Sequence, residues 1–302
     1  MYVIFGASGK VGRSTVAALR KEGQAVRAVV RDPAQHDALR GLGCEVMGAD
    51  LNDAASVQRA LEGAHSVQLL CPVAHHAPDP EGAMRHTLNT TARALRGHTH
   101  LHVVALSDYG AELTTDSGIT MLFHELEAAY RAAVPRLTLL RSAEHMQNWA
   151  RVLPVALASG RLPSFHHPID KPFPTVSAND VGVMAAQLLL EGHDGNGVRV
   201  VNVEGPRRYN AGDVARVLSE VSAREITALP LPRDEWEVAL SRAGLNANLA
   251  RLVIGTYDAQ NAGRIDVEAG SERRFGVTEL RDVLAAQLSA MAATAARRER
   301  SA

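Results

Sequence analysis

The sequence predicts an α/β fold, a doubly wound parallel sheet carrying a smaller, partly discontinuous α+β lobe. Three observations lead there. Short runs rich in β-branched residues alternate with amphipathic stretches from the start of the chain to Arg141, the pattern of a parallel sheet covered by helices on both faces. A glycine-rich turn, Gly6-Ala7-Ser8-Gly9-Lys10-Val11-Gly12, joins the first run to the first amphipathic stretch. The 302 residues, 46% hydrophobic and 22% charged, suffice for one large core or for a core with an accessory lobe.

The elements follow in order. Strands are expected at Val3–Phe5, Ala25–Val30, Glu45–Met47, Ser66–Leu70, Leu101–Leu106 and Leu137–Leu140. The stretches between them carry apolar residues three and four apart, such as Val11, Val16 and Leu19, then Leu88, Ala92 and Leu95. Right-handed crossovers between such strands wind the sheet in two directions. Beyond Arg141 the pattern loosens. Leu153 to Pro174 holds five prolines, Gly160 and a His166-His167 pair, and reads as a long loop with short strands. Ser177 and Asp180 form a capping box before a helix through Val181, Met184, Ala185 and Leu188. A strand at Val198–Val203, a helix at Asn210–Val221, a strand at Arg224–Leu229 and helices near Asp234–Ala243 and Thr278–Ala293 complete the chain. The tail, Ala292–Ala302, is expected to fray.

Composition narrows the function classes. Lys plus Arg is 32 and Asp plus Glu is 33, a net charge of −1. That balance excludes a broad basic surface for nucleic acid or anionic lipid as the main binding principle, though not one local basic pocket. Cys44 and Cys71 are too few to staple a chain this long, which points to a reducing compartment. No stretch approaches the roughly 20 apolar residues of a membrane span, and the start lacks the features of a signal peptide, so a cytoplasmic protein is expected. Among the basic residues arginines number 29 and lysines only 3, Lys10, Lys21 and Lys171.

The glycine turn makes a specific physical demand. Gly6 permits a tight strand-to-helix turn, Gly9 lets a pyrophosphate approach the backbone, and Gly12 lets the helix pack on the strand. Free N–H groups and the positive helix end, from Lys10 and Val11 onward, then hold phosphates, with Ser8 adding a hydroxyl donor. In a strand–turn–helix context this is a dinucleotide site of Rossmann type. Residues 1–150 are therefore read as a Rossmann dinucleotide-binding domain and 151–302 mainly as a substrate-binding lobe, with 176–204 returning to the Rossmann core. The second strand ends in Arg31-Asp32-Pro33. An arginine there accommodates the 2′-phosphate of NADP, whereas an acidic residue accepts from the ribose 2′-OH of NAD. Arg31 stands first, so NADP is favoured over NAD, with Asp32 as ribose ligand the competing reading. Asp50 and Leu51, past the third strand, are expected to flank the adenine, although Asp50 as a turn or cap residue is the alternative. Cys71 and Pro72, past the fourth, should pass the ribose or pyrophosphate through backbone. A redox role for Cys71 is disfavoured because buried cysteine is usually inert.

With these residues in view the chain resembles the atypical short-chain dehydrogenases, in particular the NmrA-like and NAD(P)H:quinone-oxidoreductase-like branch. The resemblance rests on the order and spacing of Gly6–Gly12, Val26–Pro33, Gly48-Ala49-Asp50-Leu51, Val103–Ser107, Leu137–Arg141 with Met146-Gln147-Asn148, Ser177–Val181 and Val203–Pro206. It implies a Rossmann core with a small substrate lobe. The wider superfamily carries Tyr-x-x-x-Lys on the helix after strand five. None of the five tyrosines here is followed by lysine four residues on, and alignment on Glu127 puts Ile119 and Phe123 in the two places. Reducing a ketone makes an alkoxide, whose conjugate acid has a pKa near the value of about 15.7 for water, and wants a positioned acid. Hydride addition to a quinone makes a phenolate of pKa roughly 10, as for tyrosine. An electron-poor acceptor is therefore favoured.

Candidate catalytic residues are Ser107 at the end of strand five, Tyr109 two residues on, and His124 on the following helix. Ser107 as a bare strand-end cap and His124 as a surface or core histidine are the competing readings. Arg141 closes strand six, either touching the nicotinamide or pairing with Glu144. His145, Met146, Asn148 and Trp149 are expected along the substrate pocket, Trp149 alternatively as interdomain packing. No metal site is expected, since His98, His100 and His102 alternate on one strand face with no acidic or cysteine ligand in step. The sequence thus reads as an NADPH-dependent oxidoreductase passing hydride to a quinone-like or other conjugated small-molecule acceptor. The alternative is a non-catalytic NADP-binding redox sensor of NmrA type. A homodimer or a regulatory protein partner is compatible with either. An epimerase is disfavoured by the missing tyrosine.

Overall fold

The computed structural model describes the backbone of residues 1–301 and side chains as far as Arg297. In chain order the elements are β1 (Tyr2–Phe5), α1 (Lys10–Lys21), β2 (Val26–Val30), α2 (Asp37–Gly41), β3 (Glu45–Gly48), α3 (Ala54–Leu61), β4 (Ser66–Leu69), α4 (Pro80–Leu95), β5 (His102–Asp108), α5 (Thr120–Arg131), β6 (Arg136–Ser142) and β7 (Glu144–His145). They continue with α6 (Leu153–Ser159), β8 (Arg161–Ser164), β9 (Thr175–Val176), α7 (Ala178–Glu191), β10 (Gly197–Glu204), α8 (Ala211–Ser222), β11 (Thr227–Pro230), α9 (Trp236–Arg242), α10 (Ala247–Asn261), β12 (Glu272–Phe275) and α11 (Leu280–Ser301).

Among the described residues the central sheet has eight strands in the order β12-β10-β6-β5-β4-β1-β2-β3, all parallel. The strand order reverses between β1 and β4, the crevice where ligands bind in doubly wound sheets. Alternate side chains of each strand serve opposite faces. Val3 and Phe5 join Val57, Leu61, Leu88 and Leu126 in the core under α3, α4 and α5. Tyr2 and Ile4 join Val16, Leu19, Val181 and Leu188 under α1 and α7. Helices on both faces explain why every residue of β1 and β4 is buried. A separate core of Met146, Trp149, Leu162, Phe173, Val214, Leu218 and Leu284 forms the lobe, and Trp236, Leu240, Ala250 and Ile254 join α9 to α10.

The doubly wound sheet agrees with the sequence reading, and the later chain departs from it in detail. The proline-rich stretch contains α6, because Pro154 falls in its first turn, where a missing N–H costs nothing. The helix α10 was not expected from the sequence. Asn246 caps it through Leu249 N, but Gly255 and Thr256 weaken its helical signal. Strand β12, charged at Glu272, Arg273 and Arg274, sits at the sheet edge, where polar side chains reach solvent. Ser177 caps α7, but Asp180 does not complete a capping box. Its carboxylate instead accepts from Thr278 N at 2.8 Å and Thr278 Oγ1 at 2.7 Å, tying α7 to the segment before α11. His98 and His100 precede β5, so the three histidines share no strand face, and His102 is buried against Thr138 Oγ1 at 2.9 Å. The tail stays helical to Ser301, and Ala302 lies outside the described residues. No helix among the described residues is long and apolar enough to cross a membrane.

The α1–α7 crossing depends on a small residue. A Cβ at Gly182 would stand 2.3 Å from Val11 O and 2.6 Å from Ser14 Cβ, so only glycine lets the helices approach. Gly182→Ala is expected to cost about 1–3 kcal/mol through overpacking. Gly41→Ala, whose Cβ would meet nothing within 4 Å, should stay within about 0.5 kcal/mol of the parent. Thermal unfolding followed by circular dichroism distinguishes the two.

Candidate functional site

The three glycines of the turn are held by different demands. Gly6 has φ +69°, and a Cβ there would stand 2.8 Å from Leu70 Cδ2. At Gly12 a Cβ would lie 2.2 Å from Gly6 O, so the helix could not seat on the turn. Gly9 differs. It has an ordinary φ of −76°, is exposed, and its Cβ would touch only Gly6 O at 3.3 Å. That single contact is tight but local, and the exposed Gly9 backbone leaves room for a group to lie against it. No side chain caps α1 at Gly9, so its first N–H groups stay available to an anion. The turn fits a dinucleotide pyrophosphate.

The turn forms one end of a cleft of about 480 Å³ at the C-terminal edge of the sheet. Gly6, Gly9, Lys10, Val11 and Gly12 line that end, and Leu70, Cys71, Ser107 and Asp108 line the floor. Ser142, Glu144, His145, Gln147 and Asn148 form one wall. Ile119 and Phe123 close it from α5, while Leu249, Val253, Thr256 and Tyr257 close it from α10.

Beneath the cleft a buried ion pair joins three elements. Arg141 on β6 donates from Nε and Nη2 to the two carboxylate oxygens of Glu127 on α5, each at 2.7 Å. Both side chains are at most 4% exposed. Nη1 of Arg141 reaches Glu112 at 2.9 Å and Glu268 at 2.6 Å. Ser107 of β5 donates its hydroxyl to Glu127 Oε1 at 2.7 Å. The pair replaces the Glu144 partnership considered for Arg141, and Arg141 is absent from the cleft lining. Ser107 lines the cleft, but its proton is committed to a carboxylate, which leaves the hydroxyl an acceptor there.

Other expected residues fall differently. Tyr109 lines the cleft, yet its hydroxyl is buried without a partner among the described residues, and burial pushes its pKa above the ordinary value. His124 is outside the lining, its Nδ1 2.9 Å from Ala111 O. Met146 and Trp149 belong to the lobe core rather than the pocket wall, because the 3-10 turn Met146–Arg151 directs them inward. His145 and Asn148 do line the cleft. So does Cys71, whose thiol burial pushes up to about 12. Ser8, Arg31, Asp50, Leu51 and Pro72 follow the ends of β1 to β4 but do not line this cavity. Asp50 Oδ1 accepts from Asn52 N at 2.9 Å, as a turn residue does. Asp32 accepts from Ala34 N at 3.0 Å and Gln35 Nε2 at 2.9 Å. The adjoining Arg31 is exposed and in no ion pair among the described residues.

Sequence reasoning missed the acidic side of the cleft. Asp108, between the two candidates Ser107 and Tyr109, has its carboxyl raised to about 7 by burial and then by Glu144. Burial works against Glu144 ionising, but contact with His166 Nε2 at 3.1 Å and with Asn148 holds it below its usual range. Tyr257 donates its hydroxyl to Glu144 Oε1 at 3.3 Å and is pushed well above its ordinary pKa by burial and by that carboxylate. Burial lowers His145 to about 4. Tyr257 lies on the unexpected helix α10, so no spacing in the sequence linked it to strands five and six. Among the described residues no cluster of three or more histidine, cysteine or acidic side chains is arranged to hold a metal.

The NAD(P)H-binding family matches residues 6–191. The chain is 30% identical over 248 residues to (4-alkanoyl-5-oxo-2,5-dihydrofuran-3-yl)methyl phosphate reductase of Streptomyces griseus, covering 82% of this chain and 81% of that protein. It is 26% identical over 265 residues to quinone oxidoreductase 2 of Escherichia coli, covering 84% and 85%. Among solved structures it superposes on the NADPH-dependent quinone oxidoreductase of Escherichia coli, complexed with NADPH, with a TM-score of 0.79 at 23% identity, covering 95% of this chain and 100% of that one.

Removing one partner of a buried ion pair typically costs about 3–5 kcal/mol. Glu127→Ala is expected to fall in that range, since it leaves Nε and Nη2 of Arg141 and the Ser107 hydroxyl without their acceptor. The urea midpoint of unfolding measures the loss.

Proposed function

The chain belongs to the NAD(P)H-binding family, and from that premise we propose that it is an oxidoreductase that takes hydride from NADPH and passes it to a quinone-like or other conjugated acceptor, without a Tyr-x-x-x-Lys pair. The observation that carries this reading is the cleft. It has a glycine turn at one end, and apolar Ile119 and Phe123 line it in the places that alignment on Glu127 gives to tyrosine and lysine.

The bound dinucleotide supplies the hydride, and the protein supplies orientation and a dry cavity. Gly6, Ser8, Gly9, Lys10, Val11 and Gly12 hold the pyrophosphate through backbone N–H groups, the helix end and the Lys10 charge. Asp50 and Leu51 flank the adenine, and the backbone at Cys71 and Pro72 passes the ribose. Arg31 takes the 2′-phosphate. Its exposure and lack of a partner, beside an Asp32 whose carboxylate is committed to its own turn, support NADP over NAD. His145 and Asn148 border the acceptor. The names of two relatives, a quinone oxidoreductase and a dihydrofuranyl phosphate reductase, support an electron-poor conjugated acceptor.

Steady oxidation of NADPH with added quinones, followed by the absorbance of the reduced dinucleotide, tests the activity. Turnover is expected. Tight NADP binding without turnover across quinones, azo dyes and nitroaromatics would make the protein a sensor instead. Replacing Arg31 by Asp removes a charge-assisted contact of about 1.5–3 kcal/mol, so the Kd for NADPH should rise about tenfold or more, with a much smaller change for NADH. Equal losses would remove Arg31 from the 2′-phosphate.

A further inference from the structure

We propose that Asp108 is the acid that protonates the reduced acceptor, an assignment that rests on the reductase reading above. It follows from asking which cleft-lining group carries a proton that it can release. Ser107 donates its hydroxyl in a hydrogen bond to Glu127. The Tyr109 hydroxyl is buried, and burial pushes its pKa above the ordinary value, and Tyr257 donates to Glu144. The Cys71 thiol is held at about 12. His145 and His75 are both lowered by burial, and so carry no acidic proton at neutral pH. Glu144 is ionised, and an arginine such as Arg151 does not release its protons. Lys10 belongs to the glycine turn, where the reading above gives its charge to the pyrophosphate.

Asp108 remains. It is the last residue of β5, next to Ser107, and lines the floor of the cleft. It is in no ion pair among the described residues. Its neighbours favour the neutral carboxyl. Burial and the charges of Glu144 from β7 and Glu112 from the following turn raise it to about 7, against a smaller pull from the Tyr109 backbone N–H. The other charged or titratable groups lining the cavity are Lys10, Cys71, His75, Tyr109, His145, Arg151 and Tyr257. None is a cation paired with Asp108. A carboxyl with a pKa near the working pH is matched to general-acid catalysis.

A quinone accepts hydride, two electrons and one hydrogen nucleus, from NADPH, which is oxidised to NADP. The resulting hydroquinone monoanion takes the Asp108 proton, so a carboxyl O–H breaks and a phenol O–H forms. The Asp108 carboxylate regains a proton from water. A conjugated carbocationic dye needs no such proton, because hydride addition gives a neutral C–H product directly.

The experiment compares wild type with Asp108→Asn on both acceptors. The ratio of quinone kcat to dye kcat should fall about a hundredfold in the variant, the lower end of what a positioned acid contributes. Wild-type quinone kcat should fall as pH rises through about 7, where Asp108 deprotonates, and the variant should lack that fall. In the dinucleotide-free protein, carboxyl 13C NMR should show one group titrating near that pH that is missing from the variant. An unchanged ratio with the same pH profile, or an Asp108 carboxyl already ionised well below that pH, overturns the assignment alone. A wild type that turns over neither acceptor overturns the reductase reading, and this assignment with it.

Discussion

The buried pairing of Arg141 with Glu127 determines what the cleft contains. Bringing a guanidinium and a carboxylate out of water costs several kcal/mol per ion, offset only where the geometry is close to ideal and the remaining donors are used. Here the pairing is bidentate, and the free Nη1 is taken by Glu112 and Glu268. The network therefore fixes β5, β6 and α5 together with two later turns. It also withdraws two groups from the chemistry. Arg141 points into the sheet–helix interface rather than at a ligand, and Ser107 donates to Glu127 rather than outward.

The groups left facing the cleft are the ones just past these strand ends. In parallel β5 and β6, Ser107 aligns with Arg141 and Asp108 with Ser142. The residues after the anchored side chains, Asp108 and Ser142, thus reach the cleft edge, and Glu144, two residues past the end of β6, lines the cleft beside them. The lobe completes the cavity. Helix α10 brings Tyr257 onto Glu144, and His166, stacked on Phe173 with ring centroids 3.5 Å apart, backs the same carboxylate from behind. Partners thereby hold the Glu144 carboxyl below its usual range, while burial and the Glu144 charge raise the unpaired Asp108 carboxyl to about 7. Divergent environments of this kind separate acid and base roles in a single pocket.

Much of this was legible in the sequence, for identifiable reasons. The strand–helix alternation up to Arg141 and the glycine turn are local patterns, and each element they predict forms. Gly12 and Gly6 show in the structure the steric demands inferred from their spacing. The absence of a tyrosine–lysine pair was also a local fact. The acidic side of the cleft was not legible, because its members come from β5, β7 and α10 and meet only through tertiary packing. Asp108 lay between two candidates and was passed over because nothing about an isolated aspartate shows that no cation will join it. Met146 was expected on the pocket wall, and Trp149 there or in packing, because a pocket wall and a lobe core have the same apolar signature, and the 3-10 turn that separates them has no strong sequence signal. Helix α10 was hidden by Gly255, which a close approach to Gly118 requires, with a Cβ only 2.9 Å from Gly118 Cα.

The central claim is that hydride passes directly from NADPH to an acceptor inside this cleft. Single-turnover oxidation of NADPH deuterated at C4 of the nicotinamide, mixed with quinone and enzyme, tests it most directly. A slower step is expected for one of the two C4 deuterated stereoisomers, because a single face of the ring meets the acceptor. Equal rates for both stereoisomers and the unlabelled compound, or no oxidation at all, would contradict it.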